Sequence, residues 1–248
     1  MMPVTSRRDP GVHPISFFNG NVFAAFSGRQ YPRARFDEFL RSAGFLPDAL
    51  IRPKQVHGDE IIIVRHSRTI LGGNPQACGS PIKPFGDDRL NEADGILTAL
   101  PGPVLGILTA DCIPAFFWDP IKKVAGLAHA GWRGLKAGIL EKMIFRMKES
   151  FCSAPENIQI VFGPFIRACC YEVGKEFSEY FPLFYRPLTP EKGRVDLAAS
   201  ARQRMMREGI PPLNLHDSEI CTSCSHEAFF SARRGDADER VLSVIQIR

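Results

Sequence analysis

Apolar positions in this chain gather into short runs, rich in β-branched and aromatic residues and broken by Gly, Pro, Asn and Asp. Residues 61–64, 95–99, 104–109, 115–118, 124–129 and 158–162 read as buried strands, because compact apolar runs bounded by turn residues suit a sheet covered on both faces. Helical spacing appears elsewhere. Phe36, Phe39 and Leu40 predict a short helix that stops at Gly44. Leu135, Ile139, Leu140, Met143, Ile144 and Met147 form one stripe, predicting a helix that begins after Gly134. A short helix is expected over 173–181. Asp196 reads as the N-cap of a helix running to Glu208, with Gly209 and Pro211 as stop signals. Residues 229–233 and 241–247 are expected to close a hairpin around Gly235-Asp236. Residues 1–14 read as a flexible, polar arm, and 68–91 as a long surface loop rich in Gly, Pro and Asn.

Strands outnumber helices, and the helices interrupt them irregularly. The expected fold class is therefore a mixed α/β (α+β) sandwich, not a regular βαβ repeat. No internal repeat or linker divides the chain, so 15–248 is expected to form a single catalytic domain.

Composition narrows the functional classes. With 44% hydrophobic and 23% charged residues the chain has ample apolar surface to fold, which excludes a disordered protein. The net charge of +4 comes from scattered basic residues, so no concentrated face for nucleic acid is expected. No apolar run is long enough to span a membrane, and the first residues lack the apolar core of a secretory signal. Seven cysteines, an odd number at irregular spacing, argue against a secreted disulfide scaffold. A reducing cytoplasm is the expected setting.

Three side chains that ligate borderline metals fall at strand ends: His57, Cys112 and His129. Two imidazoles and a thiolate suit Zn²⁺ with a fourth position open for chemistry, and Cu²⁺ accepts the same set. Spacing alone is weak support, since most lone histidines ligate nothing and a strand-end cysteine is usually a small apolar residue. Cys221-x-x-Cys224 looks like half of a structural zinc site, but no second pair sits at suitable spacing, so Cys224 is read as incidental.

The surrounding blocks are far more specific. Lys54-Gln55-Val56-His57-Gly58, Thr109-Ala110-Asp111-Cys112-Ile113-Pro114 and His129-Ala130-Gly131-Trp132-Arg133-Gly134 stand in that order. They are followed by Phe162-Gly163-Pro164-Phe165-Ile166, Cys169-Cys170-Tyr171-Glu172-Val173, Val195-Asp196-Leu197, Cys221-Thr222 and Phe230-Ser231-Ala232-Arg233-Arg234. This series, from about residue 50 to the C-terminus, resembles the bacterial YfiH-like, or laccase-domain, family. Members were formerly labelled multicopper polyphenol oxidases and are now described as purine nucleoside phosphorylases. Two departures stand out: Ala25 to Gln30 lacks the double glycine usual near the family's N-terminus, and the 68–91 segment is longer than the usual connection.

The resemblance implies a YfiH-like, cytotoxic-necrotizing-factor-like fold and a metal held by His57, Cys112 and His129. It also implies phosphorolysis of adenosine, inosine and 5′-methylthioadenosine, with deamination of adenosine alongside. Arg133 is the best candidate to bind phosphate, assisted by backbone N–H groups of a helix starting at Gly134, with a surface salt bridge as the alternative reading. Asp111 is a candidate to hydrogen-bond a ligating imidazole. Cys170 and Tyr171 are candidates to line the pocket. Competing readings are a metal-free hydrolase with Cys112 as nucleophile and His129 as base, a polyphenol oxidase, and a non-catalytic module. Six histidines in the whole chain are few for a multicopper oxidase.

Overall fold

Two large sheets face each other, and each carries helices on its outer side. The computed structural model describes residues 9–16, 18, 21–65, 92–236 and 238–248; the 68–91 loop and the first eight residues of the expected arm lie outside them. One sheet has five strands in the order β1 (Val12–Pro14), β2 (Val22–Ser27), β14 (Val241–Ile247), β6 (Val104–Thr109) and β3 (Leu50–Ile51). The other has six, in the order β13 (Leu215–Asp217), β9 (Gln159–Phe162), β7 (Ile113–Asp119), β8 (Val124–Ala130), β5 (Gly95–Thr98) and β4 (Ile61–Val64). A small third sheet holds β10 (Glu172–Gly174), β12 (Lys192–Val195) and β11 (Tyr185–Pro187).

The layering follows from period-two alternation. On β14, Val241, Ile245 and Ile247 face the gap between the sheets, while Leu242 and Val244 pack outward with Phe36, Phe39 and Leu40 of α1 (Phe36–Ser42). On β7, Phe116 and Trp118 enter the same gap, whereas Ile113, Ala115 and Phe117 face α3 (Ile139–Phe151) and α5 (Leu197–Arg207). Every residue of β7 and β8 is buried, which is why their sequences are apolar without alternation. Burying one ring such as Phe116 contributes about 1.5–3 kcal/mol, so the inter-sheet layer is a main source of stability.

The mixed sandwich agrees with the reading of the sequence, and several local expectations do not. Val12–Pro14, assigned to the arm, is edge strand β1, paired with Ala25 to Ser27, and His13 stacks on Phe26. The helix expected after Gly134 begins earlier, as α2 (Trp132–Ala137), and is broken from α3 by Gly138 at φ +88°. All six residues of its predicted stripe are buried, so the face is right and the start is wrong. Of 173–181 only α4 (Phe177–Tyr180) is helical, because Glu172, Val173 and Gly174 pair with Arg194, Gly193 and Lys192. The closing hairpin is absent among the described residues: both edges of β14 are taken by β2 and β6, and Ala232–Arg234 forms a 3-10 turn. Asp196 caps α5 as expected, accepting from the Ala199 N–H at 2.9 Å.

Candidate metal centre

The site lies where the chain crosses between the two large sheets. β6 belongs to one and β7 to the other, and Ala110, Asp111 and Cys112 make the crossing, with Asp111 at φ +81°. His129 lies near the end of β8, on the face shared with Ala125 and Leu127. His57 approaches from the loop between β3 and β4, at φ +61°. A ring nitrogen of each histidine and the Cys112 sulfur all lie within 4.8 Å of one another. The two imidazoles meet edge to face, with centroids 4.8 Å apart.

A carboxylate that the sequence reading did not single out organises this group. Asp94 is completely buried and its Oδ1 lies 2.7 Å from His129 Nδ1. A carboxylate only accepts, so Nδ1 carries the hydrogen, and in the neutral ring Nε2 keeps its lone pair for the centre. The same carboxylate accepts from the backbone N–H groups of Val56 (3.1 Å), His57 (3.1 Å) and Gly58 (2.7 Å). Those bonds hold the left-handed conformation of His57, which a non-glycine residue adopts only at a cost. A signal was present: Asp94 is an acid set immediately before the apolar strand β5.

Gln55 ties the His57 loop to the Cys112 strand. Its side-chain amide donates to Leu108 O and accepts from Leu108 N, both at 2.7 Å, completing a two-bond pair with the edge of β6. Gly131 lets the chain pass close to the sulfur, since a Cβ there would stand 2.9 Å from Cys112 Sγ.

Electrostatics draw Cys112 toward its ligating thiolate and His129 toward its protonated form. Burial alone would push the Cys112 thiol upward; the charge and hydrogen bonds of His129, with those of His57, outweigh it and bring the thiol to about 6. Burial opposes a charge on His129 too, yet the Cys112 thiolate and Asp94 raise it to about 9. Without a metal, Cys112 and His129 thus stabilise each other as a thiolate–imidazolium pair oriented by Asp94, and a metal at His129 Nε2 would displace that nitrogen's proton.

The remaining candidates divide. Asp111 does not hydrogen-bond an imidazole: its carboxylate accepts from Thr222 Oγ1 (2.6 Å), Ser231 Oγ (3.0 Å) and the Arg233 N–H (2.7 Å). It fastens two later segments over the crossing, and Asp94 has the role expected of it. Tyr171 stands near Cys112; burial, then the negative charges of Cys112 and Asp111, raise its hydroxyl pKa more than Arg233 and Arg133 lower it. Arg133 is exposed on α2, its guanidinium 4.5 Å above the Trp132 ring, and Arg233 lies 5.4 Å above the Tyr171 ring. Arg133 therefore sits inside the first turn, not before a helix starting at Gly134. Cys170 belongs to a separate group of cysteines.

A family model described as multi-copper polyphenol oxidoreductase laccase matches residues 5–248. The "Purine nucleoside phosphorylase YlmD" of Geobacillus stearothermophilus is 33% identical over 189 residues, 73% of this chain and 65% of that protein, so the chain spans just under two thirds of that relative. The "Adenosine deaminase RL5" of an unknown prokaryotic organism is 30% identical over 195 residues, 75% of this chain and 70% of that protein. The crystal structure of the hypothetical protein YfiH of Bacillus licheniformis superposes with a TM-score of 0.83 at 24% identity, covering 97% of each chain, and shares the fold.

Proposed function

The chain belongs to the multi-copper polyphenol oxidoreductase laccase family, and from that premise we propose that it is a metal-dependent purine nucleoside phosphorylase that also deaminates adenosine. Adenosine, inosine and 5′-methylthioadenosine are its substrates in this reading, with phosphate as the second reactant, in a reducing cytoplasm. The names of two relatives, one a phosphorylase and one a deaminase, support the pair of activities. The observation that carries the reading is the convergence of His57, Cys112 and His129 from three separate elements onto one point.

This donor set fits a borderline divalent ion, Zn²⁺ before Cu²⁺, because it offers two imidazole nitrogens and a sulfur already drawn toward the thiolate. Such an ion, when bound, supplies a Lewis acid and lowers the pKa of adjacent water. Asp94 fixes the tautomer and orientation of His129 and shapes the His57 loop. Tyr171 keeps its proton and can donate a hydrogen bond to the departing base or the ribose. Arg133 supplies an exposed cation for phosphate, near enough for its charge to act on the Tyr171 hydroxyl.

Incubation with adenosine, with and without phosphate, tests the proposal. Adenine should form only with phosphate, and inosine should form in both. Neither product from metal-loaded protein would sink it.

One observation favours a second reading. Cys112, His129 and Asp94 have the order of a nucleophile, its base and an orienting acid. A metal-free thiol hydrolase would keep its activity in chelator and lose it to alkylation, the reverse of what the leading proposal expects.

A further inference from the structure

The second half-site missing from the sequence is supplied by the fold. Cys169 and Cys170 follow β9 in one loop, Cys221 and Cys224 follow β13 in another, and a bridge between Phe165 and Cys221 sets the two loops side by side. All four sulfurs lie within 4.8 Å of one another. Cys224 Sγ is 3.3 Å from Cys170 Sγ and 3.6 Å from Cys169 Sγ. We propose that Cys169, Cys170, Cys221 and Cys224 bind a structural zinc ion, distinct from the His57, Cys112 and His129 centre.

Four features support a metal over a chance cluster. Four sulfurs around one Zn²⁺, each at about 2.3 Å, stand about 3.8 Å apart in a tetrahedron, close to the spacing seen. Disulfides need about 2.05 Å, far shorter than either closest pair. The Arg167 backbone N–H points at Cys221 Sγ at 3.5 Å, a donor that stabilises a ligating thiolate. Four thiolates and one Zn²⁺ leave two negative charges, and arginines stand nearby to offset them. Arg233 donates to Cys170 O at 3.5 Å and Arg234 to Ser223 O at 2.9 Å. Binding expels the remaining thiol protons to solvent, so affinity rises with pH.

The consequence lies next door. Tyr171 follows Cys170 directly, and Thr222, which donates to Asp111, lies between Cys221 and Cys224. A metal clamp on these loops fixes the wall that faces Cys112.

Metal content of protein purified from zinc-supplied cells under reducing conditions tests the site. The chain should carry two zinc ions, falling to one in Cys112→Ala and to one in either Cys169→Ser or Cys224→Ser. In the Cys112→Ala background, Co²⁺ should give the intense thiolate charge-transfer absorption of a four-sulfur site. Unchanged zinc content in both serine variants overturns the proposal, as does a cobalt spectrum without thiolate bands. Should those variants fail to fold, alkylation of the wild-type chain decides. Cys169 and Cys224 are exposed, yet they should resist alkylation until a chelator is added; full reaction beforehand overturns the site.

Discussion

His129 Nδ1 and Asp94 Oδ1 lie 2.7 Å apart with both side chains buried, and this one contact fixes which nitrogen of His129 is free to ligate. Asp94 also accepts from three N–H groups of the His57 loop, so a single carboxylate orders two of the three expected ligands. Asp94→Asn preserves shape but offers His129 an amide that also donates. Zinc affinity should fall about 10–100-fold, as for other partners of metal-ligating histidines, measured by titration against a competing chelator. An unchanged affinity would show that His129 is oriented by the strand alone.

Gly131→Ala tests the close approach over the sulfur. The backbone there, at φ −70° and ψ 171°, suits alanine, so any effect is steric. The new Cβ would press on Cys112 Sγ from 2.9 Å. The variant should lose bound metal and about 1–3 kcal/mol of stability, read by metal analysis and denaturant unfolding.

In metal-free protein, Cys112 should react with iodoacetamide along a curve with its midpoint near pH 6, because only the thiolate attacks. The sign follows from the pairing: His129 lowers the thiol most, and its removal leaves burial, which raises the thiol, opposed only by the weaker pull of His57. His129→Ala should therefore move the midpoint upward from about 6. A midpoint unmoved by that substitution would contradict the ion pair.

Arg133→Ala separates the two activities. If its guanidinium holds phosphate, KM for phosphate should rise about tenfold or more, the scale of one lost charged hydrogen bond. Deamination of adenosine, which uses no phosphate, should continue at its original rate. Equal loss of both would place Arg133 in a structural role through its packing on Trp132.

Much of the frame was legible in the sequence because its signals are local. The run Ile61 to Val64 and the stripe from Leu135 to Met147 declare strand and helix by composition and period; the stripe is fully buried, and in the strand Ile61 and Ile63 are buried while Ile62 and Val64 are partly exposed. Failures came where a distant partner overrode a local preference. Val173 and Gly174 pair with residues about twenty positions away, and β14 spends both edges on β2 and β6, leaving none for a hairpin with 229–233.

The sequence by itself determined which side chains are chemically able to ligate: His57, Cys112, His129 and a lone Cys221-x-x-Cys224 half-site. Tertiary structure decided what stands beside them. Gly95 pairs with Ala128 across β5 and β8, which sets Asp94 against His129. The Phe165 to Cys221 bridge brings Cys169 and Cys170 to Cys221 and Cys224. Ligand chemistry resides in single residues and can be read one at a time. Register between segments separated by 35 or 54 positions is set by packing of the whole sandwich, and no local pattern encodes it.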